Sequence, residues 1–446
     1  WFSYLDPPQQ ITQSGQAGFT VINELRTFCS KQITIKELQD DLTKAKLMNA
    51  ILPETVLING QLVLDDEVVR GNLVLRDGVI AEIDTSPSRI ANAHDCEGSY
   101  IAPGLIELHT DNLERHLEPR PGVAWPDEAA AIAHDAELAG CGITTVFDAM
   151  RVGSIPSGTS RYDAYARRMV DVVLSLKAED RLKISHFIHL RAEVCSETLA
   201  EELAAFGPDD RIGIVSLMDH TPGQRQFRDI NKLKAYVTGK KNLDDAGFQA
   251  HVQMLMDLRT RNGDMHETLT CTEAERLCAV LASHDDTTEE HVQTSALRGV
   301  KVAEFPTTVE AAAACRKHGI AIMMGAPNLI RGGSHSGNVS ALELAELDLL
   351  DIVSSDYVPA ALFQSVLLLA ELWGDLPKAM RTVTSKPAKA AGLTDRGQIA
   401  IGKRADLTVF RKTENFGHMQ MVLCRGKGIF SPKLQPYKIN IGQSVF

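Results

Sequence analysis

The chain has 446 residues, too many for one ordinary domain and enough for a large barrel with a smaller companion. Apolar residues make up 44% and charged residues 23%, the balance of a water-soluble globular protein, and a net charge of −12 argues against nucleic-acid partners. No apolar run approaches the roughly 18 residues that cross a bilayer; the richest, Val366–Trp373, is short and broken by Glu371, so no membrane partner is expected.

Residues 1–53 are polar, carry one helical pattern from Ile33 to Met48 and read as an extension of unknown role. The chain starts at Trp1, Met48 is a natural start for the rest, and no targeting segment is visible, so a cytoplasmic location is expected. From Glu54 the texture changes to short alternating strands, TVLINGQLVL and GNLVLRDGVIAEI, with turns expected at Asn59-Gly60 and Asp77-Gly78. GQIAIGKRADLTVF and MQMVLCRGKGIF repeat this texture late in the chain. Residues 54–100 and 392–430 are therefore expected to form one small β-sandwich from both ends of the chain, with a tail at 431–446.

Between them, residues 101–391 alternate apolar strands with helical stretches, the pattern of βα units around a parallel sheet. The strands expected are Leu105–Asp111, Ile143–Ala149, Ile184–Glu193, Ile212–His220, Ala279–His284, Val300–Phe305, Ile320–Gly325 and Ile352–Asp356. Eight of them suggest a closed (β/α)8, TIM-like barrel of the α/β class. The eight cysteines are scattered with no CxxC and read as isolated thiols of an intracellular enzyme.

Metal-binding residue types fall at the C-terminal strand ends, where barrel active sites lie. His109 and Asp111 close the first strand, two apart and so on one side of it. Glu193, His220, His284 and Asp356 close others. Three imidazoles and three carboxylates without a thiolate suit one or two divalent ions, zinc first, with manganese or iron as alternatives. Glu193 is placed to bridge two ions, and Asp356 to bind one and take a proton from the attacking water. Singly, each has a plainer reading: a histidine satisfied by hydrogen bonds, or, for Asp111, the cap of a following helix. Five such strand ends in one chain favour a metal site.

APGLIELH stands before the first ligand, an Asp closes the last strand and GxIxxGKRADL follows it. In this framing pattern the sequence resembles the amidohydrolase superfamily. Within that superfamily it is similar to a branch of sugar triphosphate diphosphatases of phosphonate breakdown. The long stretches ELHTDNLERHLEPRPGVAWP, SLMDHTPGQRQF, MGAPNLIRGGSHSGNVSA and SSDYVPAAL carry that likeness from about Thr55 to about Phe430. His109-Thr110-Asp111 replaces the superfamily's usual His-x-His, and Glu193 stands where a carboxylated Lys is common.

The resemblance implies metal-dependent hydrolysis of a sugar 5′-triphosphate to the 5′-phosphate with release of pyrophosphate. The partner implied is a small phosphorylated sugar, with self-association into a homo-oligomer left open. Such a reaction calls for basic groups on the phosphates. The substrate-binding set expected is Arg191, Arg225, Arg228, Arg331, Gly332, Gly333 and His335, with Arg115, Arg120 and Lys386 as further basic residues near strand ends. The plainer readings are that Arg191 pairs with Glu193 and that Arg225 and Arg228 sit on a solvated face. Two other functions compete: hydrolysis of an amide or cyclic imide by the same metal set, and a non-catalytic barrel, which would be expected to have lost ligands.

Overall fold

The computed structural model describes residues 54–90, 93–153, 164–223, 225, 230, 233–234, 244–334, 337–413 and 416–431. The pattern expected at Ile33–Met48, the tail, Arg228 and His335 lie outside the described residues.

The chain opens with β1 (Thr55–Val63), β2 (Val68–Arg76), β3 (Val79–Asp84), the two-residue β4 (His94–Asp95) and β5 (Tyr100–Pro103). The barrel strands are β6 (Leu105–Thr110), β7 (Ile143–Val152), β8 (Ser185–Glu193), β9 (Ile212–Met218), β10 (Val280–His284), β11 (Val302–Glu304), β12 (Ala321–Gly325) and β13 (Ile352–Ser354). Then come β14 (Leu407–Lys412), β15 (Gly417–Cys424) and β16 (Lys427–Phe430).

The outer strands form one sheet in the order β16-β15-β14-β5-β1-β2-β3, with β4 beside β1. Both ends of the chain meet where β5 pairs antiparallel with β14. Alternate residues Leu57, Leu73, Leu75, Ile101, Leu407 and Val409 fill its core. Asp77 and Gly78, both at positive φ, make the expected turn between β2 and β3. Asn59-Gly60 does not turn the chain. It lies inside β1, where the pairing with β2 slips between Leu57 and Gly60. Asn59 takes φ 57 there, a conformation asparagine tolerates, so the same residue chemistry serves a bulge.

The eight middle strands pair in sequence order, each neighbouring pair parallel. Inward-facing Ile106, Leu108, Phe147, Phe187, Ile214, Ala282, Val302, Met323 and Ile352 pack the interior, so the barrel is a filled core and not a pore. Gly213 makes room for this filling: a Cβ there would lie 2.3 Å from Phe147 Cε1. The barrel closes between β13 and β6 through a bridge of Thr110 with Asp356 and an N–H of Asp111 donating to the Asp356 carbonyl at 2.8 Å. Buried Glu107 adds a staple across the same seam. Its carboxylate accepts from the backbone N–H of His109 at 2.7 Å and of Ser355 at 2.5 Å. Burial pushes this carboxyl up to about 7.

Cys96, Cys141, Cys195, Cys271, Cys315 and Cys424 are free thiols, whereas Cys278 is disulfide-bonded, so the expectation of isolated thiols fails there. Among the described residues no helix is long and apolar enough to cross a membrane.

Candidate metal centre at the barrel mouth

The β6/β7 pairing slips between Glu107 and Thr110. Bulges re-aim side chains, and here the His109 ring reaches the mouth, 5.7 Å from the His284 ring and 5.1 Å from that of His189. Asp111 precedes helix α1 (Asn112–Leu117) but makes no side-chain cap hydrogen bond, so the capping reading is not realised. Its carboxylate pairs instead with the Arg191 guanidinium and lies 3.8 Å from His109 Nε2. Burial opposes ionisation of Asp111, but Arg191 and His109 outweigh it and hold its carboxyl below the usual range.

Donor atoms of His109, Asp111 and Asp356 gather within 4.8 Å of one another, as do those of His220, His284 and Asp285. The His109 and His284 rings stand 5.7 Å apart, which joins the two groups into one continuous site. Asp356 and Asp285 both take φ +56 at their strand ends, and Phe305 takes φ +55. Left-handed backbone at three neighbouring non-glycine positions is strain of the kind that clusters at functional sites. Burial, then the adjacent Asp111 carboxylate, raises the Asp356 carboxyl to about 6.

Glu193 is fully buried but belongs to neither group. It accepts from His220 Nδ1 at 2.5 Å, leaving the other ring nitrogen free to bind, and meets Arg151 at 3.4 Å. A carboxylate on Nδ1 fixes the orientation of the His220 ring, the contact that carboxylates commonly make behind metal-binding histidines. The pairing expected between Arg191 and Glu193 is thus replaced by two others, Arg191 with Asp111 and Arg151 with Glu193.

Three groups at the site are not among those expected from the sequence. Glu304, at the end of β11, sits with Oε2 2.9 Å from His284 Nδ1 and 3.3 Å from His109 Nδ1, and Oε1 3.2 Å from His189 Nε2. Burial works against its ionisation, but His189 and His109 hold it well below the usual carboxylate range. His189 lies two residues before Arg191 on β8, and Asp285 directly follows His284. The signal for Glu304 was available: a carboxylate ends the short strand VAE as His284 ends β10.

The basic residues divide. Arg191 is at the mouth. Arg225 is engaged, donating to the His284 carbonyl at 2.8 Å and to Asp286 at 2.9 Å, so it braces the end of β10 rather than forming a solvated face. Arg331, Gly332 and Gly333 close the short helix after β12, with nothing within 4 Å of a Cβ at either glycine. Arg115 pairs with Glu137 outside the barrel. Arg120 lies in the loop after α1, bridged to Val123. Lys386 binds Asp351, which precedes β13, and lines a cavity of about 380 Å³ at the end opposite the mouth. Its proximity to a strand end was real, but it was the wrong end.

The donor set fits a divalent metal. His109 Nδ1, Asp285 Oδ2 and Glu304 Oε1 are buried and make no well-aligned hydrogen bond, only ionic contacts at 3.2–3.3 Å with Glu304, His284 and His189, and buried polar groups left so are rare unless something else satisfies them. Nitrogen and oxygen donors without thiolate suit zinc, manganese or iron.

Residues 360–423 match the model of the amidohydrolase family. Over 378 residues, 84% of this chain and all of the relative, the sequence is 42% identical to the alpha-D-ribose 1-methylphosphonate 5-triphosphate diphosphatase of Escherichia coli. Among solved structures, it is similar to dihydropyrimidinase from Brevibacillus agri, with a TM-score of 0.55, 13% identity and coverage of 85% of this chain and 95% of that one. It is also similar to N-acetylglucosamine-6-phosphate deacetylase from Pasteurella multocida, with a TM-score of 0.54, 14% identity and coverage of 84% and 99%. At such identities those two share the fold alone. The full-length match at 42% goes further, and the chain belongs to the amidohydrolase superfamily and, within it, to the family of that diphosphatase.

Proposed function

We propose that the chain hydrolyses α-D-ribose 1-methylphosphonate 5-triphosphate to the 5-phosphate with release of pyrophosphate, as a step of phosphonate catabolism. The observation that carries this reading is the joined cluster of His109, Asp111, Asp356, His220, His284 and Asp285 at the mouth, in a chain 42% identical to a diphosphatase of that substrate.

His109, Asp111 and Asp356 would hold one ion, and His220, His284 and Asp285 a second; zinc is the first choice. Bound there, divalent metal supplies Lewis-acid stabilisation of phosphoryl charge and lowers the pKa of water. Glu193 orients His220, and Glu304 orients His109 and His284. The Asp356 carboxylate accepts the proton of the attacking water as water adds across the anhydride and pyrophosphate leaves. Arg191, at the rim beside Asp111, and Arg331 meet the anionic phosphates, with Gly332 and Gly333, whose amides donate to the Leu329 and Asn328 carbonyls, leaving room for close approach beside Arg331. Arg228 and His335 are proposed as further phosphate-binding residues on the sequence resemblance alone, while Arg225 braces the end of β10. A cytoplasmic setting follows from the substrate, since a polyanion does not enter hydrocarbon unaided.

The test is phosphorus NMR of metal-loaded protein with this substrate. Pyrophosphate that forms, and stops forming with a chelator, supports the reading. Metal-loaded protein that leaves the triphosphate intact but opens a cyclic imide would replace it with amide hydrolysis.

A further inference from the structure

Beneath the mouth, on the outer face of the barrel, lies a second buried cluster that the proposed reaction does not use. It joins α1 and strands β7 and β8 to helix α2 (Asp127–Gly140). The Asn112 amide donates both hydrogens, to His134 Nδ1 at 3.0 Å and to Glu137 Oε2 at 3.0 Å. His134 Nδ1 is therefore an acceptor, and the ring carries its proton on Nε2, which donates to Asp148 Oδ1 at 2.8 Å. The second Asp148 oxygen accepts from His186 Nδ1 at 2.7 Å, and His186 Nε2 reaches Asp135 Oδ1 at 3.3 Å. His186 thus donates from both nitrogens, as a cation, in keeping with a pKa raised to about 9; burial opposes the charge and Asp148 outweighs it. Asn112, His134, Asp148 and His186 are all at most 3% exposed. The three groups His134, Asp148 and His186 have a metal-like spacing. Every one of their nitrogens is already committed to a hydrogen bond, so the cluster reads as a hydrogen-bonded frame.

The frame closes on the turn that carries Asp111. Asp148 is the ladder partner of Thr110 across β6 and β7. Thr110 Oγ1 accepts from the backbone N–H of Asn112 at 3.3 Å and donates to the Asp356 carbonyl at 3.0 Å. Thr110, Asp148, His134 and Asn112 form a ring, and the residue inside its open side is Asp111. We infer that Asn112 and His134 are positioning residues that clamp the Thr110–Asn112 turn and so hold the Asp111 carboxylate in place to bind metal. The clamp rests on the proposed role of Asp111 as a ligand. It touches neither substrate nor metal. It acts by fixing the residues on both sides of Asp111, as partners behind ligands do elsewhere.

The test is zinc affinity, measured by competition with a chelating dye on the intact chain, for Asn112→Ala, His134→Gln, Asp111→Asn and the Asn112→Ala/Asp111→Asn double variant. Melting temperature is recorded for each. Asn112→Ala and His134→Gln are expected to weaken zinc binding by about 10-fold or more, the range for residues behind a ligand. Asp111→Asn weakens it at least as much, and in that background Asn112→Ala adds nothing, because both act through one carboxylate. A lowered melting temperature with unchanged zinc affinity in both Asn112→Ala and His134→Gln would make the frame merely structural and overturn the clamp. So would full additivity in the double variant. Unchanged affinity in Asp111→Asn alone overturns the ligand reading itself, and the clamp with it. The His134→Gln arm keeps the test decisive if Asn112→Ala fails to fold.

Discussion

Gly325 ends β12 beside the proposed base, and its replacement by alanine is a sensitive probe of how tightly Asp356 must be held. Gly325 has φ −75 and ψ 132, which alanine adopts without strain. An added Cβ would stand 3.3 Å from Asp356 Oδ2, 3.5 Å from Asp356 Cβ and 3.6 Å from Phe305 Cε1. The backbone therefore tolerates the change, and the lower entropy of the unfolded chain offsets part of the crowding, so stability should move by less than about 1 kcal/mol. The carboxylate, however, must give by a few tenths of an ångström, and Asp356 has little freedom at φ +56. Misplacement by about 1 Å costs about 100-fold in rate, so a shift of this size should lower kcat/KM for pyrophosphate release roughly 4-fold to 10-fold. The assay is steady-state pyrophosphate release, with zinc content and melting temperature measured on the same preparation. An unchanged kcat/KM in a folded, metal-loaded Gly325→Ala protein would refute the placement of Asp356 at the reacting centre. A loss matched by a large fall in melting temperature would trace to folding instead.

Asp356→Asn should keep the fold and abolish turnover, since the proton acceptor is gone; near-normal pyrophosphate release would remove Asp356 from that role. His186 gains a pKa of about 9 against 6.5 unfolded, so its charge stabilises the fold fully below pH 6.5, and that stability is lost as pH rises through about 9. At about 1.4 kcal/mol per unit, urea denaturation should show the advantage of the parent over His186→Gln shrinking by about 3 kcal/mol across that window. A gap that stays constant with pH would contradict a charged His186. Gly104→Ala places a Cβ 2.2 Å from Thr144 Oγ1 and 2.8 Å from its Cβ, in full burial, and should cost about 1–3 kcal/mol or more in denaturant midpoint experiments. A change below about 0.5 kcal/mol would show that the contact between Gly104, which links β5 to β6, and Thr144 of β7 yields more readily than the packing implies.

Much of the fold was legible because the barrel strands announce themselves twice, by apolar runs of strand length and by polar residues at their C-terminal ends. Each of the eight expected strands overlaps an observed one, with ends that differ by a few residues. β7 runs on to Val152, past the expected end at Ala149, and that extension carries Arg151 to Glu193. The early turn at Asn59-Gly60 failed because asparagine before glycine permits positive φ without saying whether the chain reverses or bulges. At the site, His109, Asp111, His220, His284 and Asp356 were visible as strand-end residues, and the structure brings them to one place. Glu193 was visible too, but whether a buried carboxylate bridges or orients depends on the partner across β9, which sequence order does not reveal. His189 was missed for a related reason, and Glu304 was missed although it ends β11. Their roles come from contacts between strands far apart in the chain, His109 to Glu304 and His189 to Glu304. The outer frame of Asn112, His134, Asp148 and His186 left no strand-end signature at all, since its members face the helices.

The most direct test of the account is where the metal sits. Anomalous diffraction from crystals of the zinc-loaded protein, collected across the zinc edge, reads this without reference to activity. The account predicts density bounded by His109, Asp111 and Asp356, by His220, His284 and Asp285, or by both. Zinc found instead among His134, Asp148 and His186, or absent from the mouth of a fully loaded protein, would contradict it.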